Sequence, residues 1–101
     1  MLIISGQIGN QMDGSIVEGV EAQYEQALAN INAIVASEGG TSIDIAKITI
    51  FLTEEPSERD LIGEANRKHF PSGSPAMSWI RVAGLFQPEV KVEVEALAAL
   101  D

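Results

Sequence analysis

Cysteine is absent from this 101-residue chain. Disulfides, thiolate nucleophiles and cysteine-held zinc or iron–sulfur sites are therefore excluded. Histidine occurs once, at His69. One chain cannot build a two-histidine metal site or a histidine-rich catalytic cluster from it, and no metal or cofactor is expected. Basic residues are scarce, six against fifteen acidic, for a net charge of −9. Arg59, Arg67 and Lys68 are neighbours, but Glu58, Asp60 and Glu64 interleave them. That pattern lacks the basic stripe that displaces counterions, so nucleic acid is not an expected partner. Aromatics make up 5%: Tyr24, Phe51, Phe70, Trp79 and Phe86. The core must come mostly from Ile, Val, Leu and Ala. No window approaches 18 unbroken apolar residues, so no membrane span is expected. The amino end, Met1 to Gln7, has a short apolar run and no basic leader. It does not read as a signal peptide, and the expected compartment is the cytoplasm.

What is present is ample apolar material, 46% of the chain. That suffices for a core, and the length fits a single domain over residues 1–101. A chain this short buries only about 60–65% of its unfolded surface, so self-association would help it.

The elements follow from periodicity. Leu2-Ile3-Ile4 reads as a strand that bends at Gly6, and Gly9 to Gly14 is turn chemistry. From Ile16 to Ala36, apolar residues at Val17, Val20, Tyr24, Leu28, Ile31 and Val35 recur at steps of three and four. The spacing predicts a helix, with Ser15 as N-cap, Glu18 completing a capping box and Gly39-Gly40 as terminator. Ile45 to Thr53 is a strand with Ala46, Ile48, Ile50 and Leu52 on one face. Ser57 is the expected cap of a second helix, which Pro71 and the run to Pro75 terminate. Ala76 to Ala83 and Val90 to Leu97 alternate as strands. Two helices on one face of a mixed sheet make an α/β two-layer sandwich.

Helices cover only one sheet face. Phe51, Met77 and Trp79 are expected on the other, where large apolar groups mark an interface between subunits. Arg81, on the strand of Trp79, suits either an anion clamp or a surface salt bridge. His69 sits on the apolar stripe of its helix and reads as a structural imidazole. The motifs G-x-S-x-G, G-x-G-x-x-G and G-x-x-x-x-G-K-[ST] are all missing. Glu93 and Glu95 share one face of the last strand.

Five blocks in order resemble the Rid family (reactive intermediate deaminases, also called YjgF-type or L-PSP endoribonuclease-like). They are Ser5-Gly6-Gln7-Ile8; the helix from Gln23 to Ala36; Ile45 to Thr53; Phe70-Pro71 with Pro75-Ala76; and Val82 to Leu85 followed by Val92-Glu93-Val94-Glu95-Ala96. The resemblance implies a chorismate-mutase-like subunit in a homotrimer, with ligand clefts between neighbouring sheets. It also implies a small-molecule partner, an imine or enamine carboxylate hydrolysed to a 2-keto acid and ammonia. In that pattern the arginine of P-A-R holds the carboxylate. A backbone amide near Gly6 assists, and the glutamate matching Glu93 positions water. Here Met77 follows Pro75-Ala76 in place of the arginine. A thioether cannot pair with a carboxylate, and losing such a contact costs a few kcal/mol, roughly several hundredfold in binding. Arg81 stands four residues on, about 13 Å along the strand. Gly63 stands where many members have asparagine, and the amino-terminal strand with its G-P-Y aromatic is expected to be missing. The residues expected at a ligand site are thus Gly6, Met77, Trp79 and Arg81, with Glu93 catalytic only if the protein is an enzyme. The expected function is small-metabolite binding without imine deamination, the alternative being a divergent deaminase.

Overall fold

The computed structural model describes residues 1–100. The elements run β1 (Leu2–Ile8), α1 (Val20–Ser37), a short 3-10 turn (Ser42–Asp44), β2 (Ile45–Leu52), α2 (Arg59–His69), β3 (Ala76–Arg81) and β4 (Val92–Ala98). The four strands form one sheet in the order β1-β4-β2-β3. β4 pairs antiparallel with both β1 and β2, while β2 and β3 are parallel because α2 returns the chain between them. Both helices pack on one face, giving the expected two-layer α/β sandwich with a mixed sheet.

The core lies between sheet and helices. Tyr24, Ala27, Leu28, Ile31 and Val35 of α1 meet Ile48, Ile50, Val92, Val94 and Ala96 of the sheet. Three details of the expected pattern change. The first helix begins at Val20 rather than near Ile16, with Gly19 as N-cap at φ 95°. Ser15 does not cap it. An Asn10–Ile16 bridge holds that stretch extended, and the Ser15 hydroxyl closes the turn onto Asp13 at 2.6 Å. Ser57 is likewise not the cap of α2, whose N-cap is Glu58. In β2 the register shifts between Ile45 and Lys47, which buries Ile45 and exposes Ala46. A bulge adds one residue, and one residue reverses the faces beyond it.

The two helices are tied by charge. Glu25 of α1 accepts hydrogen bonds from Lys68 Nζ at 2.7 Å and stands 3.1 Å from His69 Nε2. The Lys68 hydrogen bond, above all, holds the Glu25 carboxyl below its ordinary range; partial burial opposes it and His69 reinforces it. A carboxyl depressed in the folded state adds stability above its unfolded pKa, and that stability is lost as pH falls through the folded value. The urea midpoint of the wild type should therefore drop more steeply below pH about 4.5 than that of Glu25→Gln. Parallel curves for the two proteins would contradict this linkage.

Candidate functional site

The residues that suggest chemistry fall on opposite faces of the sheet. On the open face, Glu93 of β4 pairs with Phe51 of β2 and Ile8 of β1. Gly6 lies where the β1–β4 register shifts, between Ile4 and Gln7. A side chain there would land on the Glu93 carboxylate, its Cβ only 2.7 Å from Cγ. Glycine is what lets Glu93 lie over the β1 backbone at this bulge. The rest of the open face mixes polar and apolar groups. Lys47 Nζ donates to Ser78 Oγ at 2.7 Å, and Ile80 is exposed beside half-buried Phe51.

β3 corrects one expectation. Met77, Trp79 and Arg81 do not share the face of Phe51. Their ladder partners are Ile48, Ile50 and Leu52, the core-facing set of β2. Side-by-side residues in a ladder project to the same face, so these three lie on the helix side, and Ser78 and Ile80 on the open side. Met77 packs against the core cluster. Trp79 stacks on buried Tyr24 with ring centroids 5.0 Å apart and planes tilted 45°. The Tyr24 hydroxyl donates to Asn66 Oδ1 at 2.6 Å, and burial raises its pKa above the ordinary tyrosine value. Alternation along β3 reveals two sets but not which set the helices cover. On an edge strand, the parallel register with β2 decides it.

Arg81 takes the salt-bridge role. Its Nη1 lies 3.0 Å from Glu55 Oε1, while Arg59 Nη2 lies 3.2 Å from Glu55 Oε2. These groups rim a cavity of about 420 Å³, lined also by Leu52, Pro56, Ile62, Gly63, Asn66 and Trp79. Glu55, Arg59 and Asn66 were not singled out from sequence. Only the four-residue spacing of Glu55, in the loop before α2, and Arg59, its first residue, hints at their ion pair. His69 is 11% exposed and bound to Glu25, a structural placement. Among the described residues, no group of three or more acidic or histidine side chains could hold a metal ion, and no helix is long and apolar enough to cross a membrane.

The endoribonuclease L-PSP family model matches residues 1–100. The 2-iminobutanoate/2-iminopropanoate deaminase of Salmonella typhimurium is 37% identical over 101 residues, covering 97% of this chain and 78% of that protein. The chain belongs to the Rid family. It is also 32% identical to Reactive Intermediate Deaminase A, chloroplastic, of Arabidopsis thaliana, covering 99% of this chain but spanning only 54% of that protein. The solved structure of RidA from a Psychrobacter species superposes with a TM-score of 0.85 at 31% identity, covering 97% of this chain and 79% of the other.

Within the Rid scaffold, the Gly6–Glu93 pair stands on the open face of β1 and β4, and position 77 stands on the helix side of edge strand β3. Met77 brings no charge to that position. Arg81 cannot join Glu93 inside one chain, because the sheet lies between them.

Proposed function

We propose that this Rid protein is a homotrimer that binds a small metabolite in clefts between subunits and does not deaminate imines. The observation that carries this reading is the division of the site. Glu93 over Gly6 occupies one sheet face, and position 77 occupies the other face at an exposed edge, so the two halves can meet only when copies dock. The half that should supply a cation supplies the Met77 thioether. Taking a carboxylate out of water without a charged partner costs several kcal/mol, which removes the hold that deamination needs. The open face supports docking of copies. Ile3 is 74% exposed, Ile80 42% and Leu97 37%, on a sheet face that neither helix covers.

A divergent imine or enamine deaminase is the second reading, favoured by one observation: Glu93 keeps its place over the Gly6 backbone. There, Glu93 would direct water onto the C=N carbon. The nitrogen would leave as ammonia and the carbon would become a keto group. Arg81 or a neighbouring subunit would have to hold the carboxylate.

Light scattering tests the assembly on which the cleft depends. The expected mass is roughly 32 kDa, three times the 10.8 kDa chain. A stable monomer of 10.8 kDa would overturn the reading, because the two half-sites would never meet.

A further inference from the structure

Two buried side-chain oxygens have no hydrogen-bond partner among the described residues, Asn32 Oδ1 and Thr53 Oγ1. Asn32 still uses its amide nitrogen, which donates to the His69 carbonyl at 3.1 Å. Thr53 uses only its backbone. Its N–H donates to the Lys91 carbonyl at 3.0 Å, which fixes the residue just past the end of β2 and leaves the hydroxyl over. Valine has the same branched shape and would strand no polar atom there. Thr53 lines a cavity of about 240 Å³ under the loop that joins β3 to β4. The cavity lies outside the carboxyl ends of the parallel pair β2 and β3, where open α/β sheets collect ligands. It shares no lining residue with the cavity rimmed by Arg59 and Arg81. Its other polar side chains are also uncommitted. Gln87 accepts from the Val90 amide at 3.0 Å through its backbone carbonyl, and its side-chain amide has no partner among the described residues. Lys91 Nζ has only the Glu54 carboxylate, at 3.8 Å, beyond hydrogen-bond reach. Leu85, Pro88 and Val90 supply the apolar wall.

We propose that this cavity binds a small primary carboxamide, held by the Thr53 hydroxyl, the Gln87 side-chain amide and Lys91. An apolar guest would leave the Thr53 hydroxyl unmet. An anion would face one cation that Glu54 already balances, on a protein of net charge −9. A cation would face Lys91. What remains is a neutral group with donors and an acceptor side by side, and a carboxamide is such a group. Its carbonyl accepts from the Thr53 hydroxyl and from Lys91 Nζ, and its NH2 donates to the Gln87 side-chain carbonyl. A short carbon tail then rests on Leu85 and Pro88. The volume of about 240 Å³ lies under the range for drug-sized ligands, about 300–1,000 Å³, so the guest has few atoms. The site is complete within one chain and depends neither on a trimer nor on whether the protein deaminates imines.

Propionamide is the probe, and propionate, of the same shape but charged, is the control. Propionamide should move the backbone amide NMR signals of Thr53, Gly84 and Leu85 saturably, with Kd on the order of 1–10 mM for so small a ligand. Propionate should bind at least about tenfold more weakly. Gln87→Leu, at an exposed position, should weaken propionamide by about fivefold with the far-UV circular dichroism unchanged. Thr53→Val should have two effects of opposite sign. It should weaken propionamide by about fivefold to tenfold, yet raise the Tm of the protein alone by about 4 °C or more, because the unmet hydroxyl is gone. A hydroxyl kept only for structure would lower the Tm on removal and leave binding untouched. The proposal is overturned if those signals stay still or move without saturating, if propionate matches propionamide, or if Thr53→Val binds as tightly as the wild type or melts no higher. Ammonia release from an imine by the wild type would contradict the proposed function and leave this site standing.

Discussion

Phe51→Glu should dissociate the protein into monomers. Phe51 projects from the open face of β2, level with Glu93 on one side and Ile80 on the other. In the proposed trimer, a carboxylate there would enter the surface between neighbouring copies, where an unpaired charge costs several kcal/mol per subunit. It would also stand directly across from Glu93, and like charges facing each other in a ladder repel. Light scattering should fall from roughly 32 kDa toward the 10.8 kDa of one chain while helical circular dichroism persists. Ile80→Glu, on the same face of the next strand, is the independent check. Retention of the wild-type mass by both variants would show that this face is not the interface.

Gln23→Leu should cost about 3 kcal/mol of folding stability. Gln23 is the one buried polar side chain among the described residues, 2% exposed. Its Nε2 donates to the carbonyls of Val17 at 3.0 Å and Glu89 at 2.9 Å, and its Oε1 accepts from the Lys91 amide at 2.7 Å. One side chain thus joins the loop before α1 to the turn that leads into β4. Leucine fills similar space but leaves two carbonyls and an amide without partners. Each stranded buried group costs about 1–3 kcal/mol, part of which water recovers at the loop edges. For a domain with a total stability of about 5–10 kcal/mol, that is a large fraction. The urea midpoint measures it, and a change of under about 1 kcal/mol would mean that the loops find other partners.

The layer architecture was legible because α1 carries a long apolar stripe and β4 alternates from Val90 onward. Val92, Val94 and Ala96 are buried as that alternation requires. What escaped the sequence were features set by pairing. The bulge at Ile45–Lys47 moved Ala46 out of the core face, and an inserted residue leaves no signature in composition. The helix start at Val20 depends on the Asn10–Ile16 bridge, a contact across a loop. The sidedness of β3 depends on its register with β2, so Met77 and Trp79 were assigned to the wrong face while Phe51 was not. At the candidate site, Gly6, Glu93 and the unusual Met77 were legible as motif positions. The cavity was not, since Glu55, Arg59 and Asn66 come from a loop and a helix that only tertiary packing brings to Trp79 and Arg81.

The central claim is that this Rid scaffold has lost the cation that deamination requires. The most direct measurement is the rate of ammonia release from 2-iminopropionate generated in situ by an amino-acid oxidase, with the purified wild-type protein against buffer alone. The expected rate equals that of buffer, because Met77 offers nothing to the substrate carboxylate and Arg81 stands four residues further along β3, about 13 Å away, paired with Glu55. Turnover comparable to that of an arginine-bearing relative, abolished by Arg81→Ala, would show that the anion contact has moved along β3 and that the protein is a deaminase after all.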